Sequence, residues 1–299
     1  AGAAMAAFFR RLFGVKRGHR GFDGREAQFL RRVAPKAGAP AERVTANPGV
    51  RVEPDFVCAS FAAALAEEVR GVVNDYGVEH NLDDETRTFY EKQQAHLGQN
   101  APRINMRRVT GRSESAAQRL APWLYGDAFD AQRLPPRLAE LGAKIAASDS
   151  FALGALRDVT INARRHSFFR LDGHLDPPDD GGNVFILGLL SDTVLTVSPV
   201  GPPFSTLQDP RIVSLQSWAP GEDVDVLAQQ RALVHLSGAA RSKLHHGIRL
   251  GVTRDQLASY GVAVRDDADD AAPLYDWFGD LQSPVSRHHE RLSVVFAFA

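Results

Sequence analysis

His174-Leu175-Asp176 sets an imidazole and a carboxylate two positions apart. In an extended chain such positions project to the same side, so the pair can grip one ion. A further histidine, His246, follows in the segment Leu236-Ser-Gly-Ala-Ala-Arg241-Ser-Lys-Leu-His245-His246-Gly-Ile248. Two histidines and one carboxylate on one face, with the opposite positions open, make the facial triad suited to a non-haem Fe(II) ion. Taken alone, His-x-Asp in a chain with ten histidines is more often a surface turn than a ligand pair. The order of features gives it weight: the pair at a strand end, then apolar strands, then His-Gly-Ile, then a strand opening on Arg291. A zinc or other non-catalytic ion on the same three ligands stays open. The chain has no phosphate-binding Gly-rich loop ending in Lys-Ser/Thr, no Gly-x-Ser-x-Gly elbow and no Cys-x-x-Cys pair.

Neighbouring residues read more plainly. His245 adjoins His246 and on a strand points the other way, so it is expected to pack or face solvent. His235, inside an apolar run, is expected to be a satisfied core histidine. Arg241 is expected to be structural, in an ion pair, and Cys58 to be inert core on the first helix. Arg103, Arg107, Arg108, Arg112 and Arg119 cluster in and after Ile104-Asn-Met-Arg-Arg-Val-Thr-Gly-Arg112. Such a cluster can contact phosphates, although beside an acidic body a solvated loop is the plainer reading. Aromatic residues that could stack a base are sparse nearby: Phe89, Tyr90 and Trp123.

These residues need a scaffold, and its elements are visible. Ser60 can cap a helix in which Phe61, Leu65, Val69, Val72, Val73 and Tyr76 follow at helical spacing before Gly77. Leu134-Pro-Pro-Arg-Leu138 opens a second helix, with Leu138, Leu141 and Ile145 on one face. From about residue 157 short apolar runs take over: Val159–Asn162, Val184–Leu190, Thr193–Val197, Ile212–Leu215, Ala232–Leu236 and Leu292–Phe296. Short strands divided by Gly, Pro and Asp suggest a sandwich or jelly roll. With helices first and strands later, the expected class is α+β with a β core. Asp266–Asp270 reads as a solvated acidic loop.

With the ligands and strands in place, the chain resembles the AlkB family. Gly173-His-Leu-Asp176 and the run Asn183–Thr196 look like that family's iron-binding strand and the strand after it. Ala232–Arg241 through His246-Gly-Ile248 looks like its second-histidine segment. Arg291-Leu-Ser-Val-Val-Phe296 looks like its closing strand. The mitochondrial branch of the family, its homologue-seven type, is the nearest, on Trp277-Phe-Gly-Asp280 and Pro284 and on the wide spacing near His246. The resemblance covers roughly residues 55–299 and is strongest after 157. It implies a double-stranded β-helix (jelly roll) core flanked by N-terminal helices. It implies Fe(II) on His174, Asp176 and His246, and 2-oxoglutarate as cosubstrate. Arg291 would hold the distal carboxylate of 2-oxoglutarate, its planar fork matching a carboxylate. Asn162 would lie beside the cosubstrate, at a spacing to His174 one residue longer than the family's. The implied activity is oxidation of a substrate C–H, a demethylation where the carbon is an N-methyl group. Two positions depart from the pattern: Ala297 stands where a second arginine closes the family's strand, and Arg164 stands where it has a tyrosine.

Composition bounds the rest. The 299 residues, 44% hydrophobic, suit one domain with extensions. Nothing approaches an uninterrupted apolar run of membrane-spanning length. The single cysteine excludes an internal disulfide and fits a reducing compartment. Net charge is −1, but residues 1–50 hold ten Lys/Arg and three acids. The first stretch, with Arg10, Arg11, Lys16 and Arg17 before any acid, reads as a mitochondrial presequence for the matrix, or as a basic tail for an acidic partner. Residues 33–50, rich in Pro, Ala and Gly, read as a linker. The expected organisation is a basic extension and linker over 1–50 and a dioxygenase domain over 51–299. The alternative is a subunit of a large mitochondrial assembly, a ribosome or respiratory complex, with weak or lost catalysis. A nucleic-acid substrate is the weaker third reading.

Overall fold

The computed structural model describes residues 25–36, 38–77, 103–105, 129–148, 151–164, 171–200, 218–219, 221–249, 251–264, 274–288 and 290–299. The described chain is built around two six-stranded antiparallel sheets. Strands β1 (Leu30–Arg32), β2 (Glu42–Arg43) and β3 (Val50–Glu53) come first, then helix α1 (Ala59–Gly77), β4 (Arg103–Asn105) and helix α2 (Pro136–Ala146). The β core follows as β5 (Leu156–Arg164), β6 (Leu171–His174), β7 (Asn183–Gly188), β8 (Thr193–Ser198), β9 (Val224–Ala228) and β10 (Leu233–Leu236). A short helix α3 (Gly238–Ser242), β11 (His245–Ile248), helix α4 (Arg254–Ser259), the hairpin β12 (Tyr275–Phe278) and β13 (Asp280–Ser286), and β14 (Arg291–Phe298) complete it.

One sheet runs β3-β10-β7-β14-β5-β4 and the other β2-β1-β9-β8-β11-β6. The inner four strands of one, β10-β7-β14-β5, face the four β9-β8-β11-β6 of the other, and the chain passes between the two sheets. That is a double-stranded β-helix, or jelly roll, with helices added: the α+β architecture expected.

Strand β14 shows why this sequence folds so. Leu292, Val294, Phe296 and Phe298 pack with the helices, whereas Val295 and Ala297 pack between the sheets. Alternate side chains thus serve two cores, one on each face of the same sheet. Against the outer face lie Leu65, Val69 and Val72 of α1 and Leu138, Leu141 and Ile145 of α2, at helical spacing. Gly142 permits close approach, since a Cβ there would lie 3.2 Å from the Phe296 ring. Pro136 opens α2, and the carboxylate of Glu68 accepts hydrogen bonds from the Arg137 and Leu138 amides at 2.9 Å. Two otherwise unpaired amides are so satisfied, and α1 is tied to α2.

The outer face of the second sheet is covered by the β12–β13 hairpin through buried charges. Arg249 Nη2 donates to Asp225 Oδ2 at 2.6 Å, and its guanidinium lies 3.5 Å over the Trp277 ring. Arg287 Nε donates to Asp276 Oδ1 at 2.7 Å. The Asp225 carboxyl also takes the Thr196 hydroxyl at 2.8 Å and the Gly279 amide at 2.8 Å.

Several expectations shift. The stretch read as a linker, 33–50, runs between strands of the two sheets: β1 pairs with β9, β3 with β10, and Val33, Val44 and Val50 are buried. Sheet pairing with strands nearly two hundred residues away organises this stretch despite its Pro- and Ala-rich composition. Helix α1 starts at Ala59, so Ser60 lies inside its first turn and Cys58 just before it. Cys58 is exposed, not core. Its thiol lies 3.3 Å from the Ser60 hydroxyl, and that contact with nearby backbone groups holds its pKa below the ordinary thiol value. The run Ile212–Leu215, the loop Asp266–Asp270, the basic segment before residue 25, Phe89, Tyr90, Trp123 and the arginines after Arg103 lie outside the described residues. Among the described residues, no helix is long and apolar enough to cross a membrane.

Candidate metal centre

His174 ends β6 and His246 lies in the adjacent β11, the two residues directly opposed in register. On its other side His246 opposes Val197 of β8, and Val197 and Ile248 both pack between the sheets. The imidazoles therefore face the space between the sheets, where their ring centroids are 4.5 Å apart. Asp176 lies just beyond the strand end. Its Oδ1 is 3.5 Å from His174 Nε2, and its Oδ2 is 3.6 Å from His246 Nε2. The ligand atoms of all three residues lie within 4.8 Å of one another. Among the described residues no other group of three His, Cys, Asp or Glu comes so close.

The spacing tests whether an ion fits. Two donors bound to one first-row metal at about 2.1 Å, at angles near 90–110°, are about 3–3.5 Å apart. The Asp176–His separations match that ligand spacing and are long for direct hydrogen bonds. Asp176 Oδ2 is also a buried oxygen with no hydrogen-bond donor. Such an oxygen costs free energy unless a cation or donor meets it. Burial by itself pushes the Asp176 carboxyl up, but His174, His246 and Arg241 outweigh it and bring the pKa down to about 2. The carboxylate is thus ionised and ready to ligate at ordinary pH.

Exposure is graded around the centre. The side chains of His174, Asp176 and His246 are 32%, 11% and 5% exposed. Gly247, beside His246, allows the two strands to approach: a Cβ there would lie 2.4 Å from the Leu171 carbonyl oxygen and 2.7 Å from the Trp218 ring.

Arg291 begins β14 and is buried at 6% exposure. It shares the strand face of Ser293, Val295 and Ala297, which is the face toward the other sheet. Burial pulls its guanidinium down to about 10, with Asp276 favouring the charge and Arg287 opposing it. Asn162 of β5 opposes Ser293 of β14, so it belongs to the same inner face. Ala297 is buried in the apolar cluster between the sheets, leaving no cation at that position. His245 opposes Ser198 and lies half-buried on the other face of β11, as its alternation with His246 requires. His235 is a core histidine as expected, stacked on Phe185 at 4.3 Å and 3.0 Å from Asn183 Oδ1.

Arg241 is structural, as expected, but its hydrogen bonds run to carbonyls and not to an acid. Its guanidinium donates to main-chain carbonyls, Nη1 to Asp176 O at 3.1 Å and Nη2 to Pro177 O at 2.6 Å. Backbone acceptors leave no trace in residue spacing, so these partners could not be read from the sequence.

The fold and the three side chains define a jelly roll with a His-Asp-His cluster that could hold a metal ion. No protein-family model matches the chain, and no curated protein matches it. Among solved structures it is similar to a Pseudomonas putida prolyl-4-hydroxylase, at 15% identity over 84% of this chain and 91% of that one, with a TM-score of 0.37.

Proposed function

We propose that this chain is an Fe(II)- and 2-oxoglutarate-dependent dioxygenase of AlkB type that oxidises a substrate C–H bond in the mitochondrial matrix. The observation that carries the reading is the convergence of His174, Asp176 and His246 within 4.8 Å, on a jelly roll whose facing sheet has a strand beginning with buried Arg291. Three ligands leave positions free for a keto acid and dioxygen when Fe(II) is bound. The work of the chain is then positional. His246, fixed between two strands, and ionised Asp176 hold the ion in place. Arg291 supplies a desolvated cation to the distal carboxylate of 2-oxoglutarate, and Asn162 lies on the same inner face. Burial strengthens that charge pairing and limits water around the reacting carbon. In the balanced reaction 2-oxoglutarate and O2 give succinate and CO2, and one oxygen atom enters the substrate C–H. On an N-methyl group the hydroxymethyl product breaks down to formaldehyde and the demethylated amine.

Anaerobic addition of Fe(II) and 2-oxoglutarate to the purified chain should give a weak visible charge-transfer band, absent from Asp176→Ala. A folded wild-type protein with no band would sink the reading. Matrix localisation is tested apart from it, by fusing residues 1–50 to a fluorescent reporter and scoring import.

A second reading has its own observation. Ala297, buried among apolar side chains, gives the cosubstrate no second arginine, which favours weak or lost catalysis in a subunit of a mitochondrial ribosome or respiratory complex. Co-migration with a large complex in native lysate, with no succinate formed by the isolated chain, would favour this reading.

A further inference from the structure

We infer that Arg241 is a positioning residue for the metal centre, locking the main chain of the loop that carries Asp176; this rests on the metal-centre reading above. Asp176 lies past the end of β6, so no strand ladder holds its carbonyl, and Pro177 and Pro178 follow with no amide to donate. The loop needs external donors, and Arg241 supplies two. Its planar fork spans the successive carbonyls of Asp176 and Pro177 from a side chain only 5% exposed. A lysine is a point donor on a flexible stem and does not match this pair of acceptors.

The clamp is itself braced. Arg241 lies on α3, whose start is tied to the loop before β3: the Ser237 amide donates to Gly49 O at 2.8 Å and the Ala240 amide to Pro48 O at 2.8 Å. Gly49 has φ +108°, and a Cβ there would lie 2.1 Å from the Ser237 carbonyl oxygen, so only glycine allows this seating. The same α3 leads directly into β11 and His246. One segment therefore carries a ligand and also fixes the backbone of the ligand across from it.

Charge separates this role from an electrostatic one. A guanidinium beside a divalent cation repels it, so a purely electrostatic Arg241 would weaken metal binding, and neutralising it would tighten binding. A positioning Arg241 predicts the opposite. Residues that orient metal ligands typically contribute about 10- to 100-fold in affinity.

The test is calorimetric titration of the full chain with Co(II) alone, with the Co(II) visible spectrum and the melting temperature recorded for wild type, Arg241→Gln and Arg241→Lys. Both variants should bind about 10- to 100-fold more weakly, with a shifted d–d spectrum, while melting close to wild type. Wild-type affinity and spectrum in either folded variant, or tighter binding by Arg241→Gln, overturns the inference and leaves the metal centre standing. Failure of both variants to fold also overturns it, because the role would then belong to the fold. No Co(II) binding by wild type removes the metal-centre reading and this inference together.

Discussion

At the scale of single residues, the side chains that make the site are those whose charge is hard to place elsewhere. Asp176 stays ionised despite burial because two imidazoles and a guanidinium surround it. Arg291 keeps its charge against burial, and a carboxylate ligand would relieve that cost. Replacing Arg291 by Gln should weaken 2-oxoglutarate binding by about 10- to 100-fold, the loss expected for a charge-assisted pair, while Co(II) affinity is unchanged. Titration calorimetry of each ligand separately checks both halves. The pH dependence follows from the pKa of about 10: the guanidinium is charged below it and loses its proton as pH rises through it. Affinity for 2-oxoglutarate should therefore carry no contribution from Arg291 titration between about pH 6 and 9, and should fall above that range. Arg291→Gln should lack that alkaline fall. The convergence of His174, Asp176 and His246 was legible in the sequence, the first two from the His-x-Asp spacing and His246 from the resemblance of its His-Gly-Ile segment. Arg241 was not, because its partners are carbonyls that only the folded loop brings within reach.

At the scale of elements, the site depends on how closely β6 and β11 approach. Gly247→Ala would set a methyl group 2.4 Å from the Leu171 carbonyl oxygen, and backbone cannot yield as a flexible side chain does. The substitution should cost about 1–3 kcal/mol in chemical denaturation. Because the displaced strand carries His174, it should also lower Co(II) affinity; unaltered affinity would show that the ligands do not depend on this approach. Strands β5, β7, β8, β10 and β14 were legible from apolar runs, and α1 and α2 from helical spacing, to within a few residues, whereas β9 was missed because Asp225 interrupts its apolar run. Strands β1 to β3 were hidden because their stretch is rich in Pro and Ala and their partners are distant. The hairpin β12–β13 was hidden for another reason. Its Asp276, Asp280 and Pro284 read as loop residues, yet the two aspartates are buried and satisfied, Asp276 by Arg287 and Asp280 by the Ala41 amide at 2.7 Å.

At the scale of the whole molecule, two cores share one sheet. The first couples the helices to β5, β7 and β14, and the second fills the jelly roll itself. Phe296→Ala, on the helix side, should cost about 3–5 kcal/mol, since it empties a fully buried aromatic site. A metal ion held only by the native centre would in contrast stabilise the fold by mass action. Co(II) at about 100 times its dissociation constant should add about 2.7 kcal/mol, a rise in melting temperature on the order of 5 °C. Asp176→Ala should abolish that rise, and differential scanning fluorimetry reads it directly.

Among the described residues, strand β6 is the terminal strand of its sheet and pairs with β11 alone, whereas β11 is paired on both sides. The two halves of the centre are thus unequal in kinetic terms. Pairing on both sides should make His246 open later than His174, whose strand can fray from its free side. Ion exchange with solvent should therefore follow the local opening rate of β6, well below the barrier to global unfolding. Amide exchange at Leu171 and Gly173 should keep pace with Co(II) release, while amides of β14 stay protected throughout.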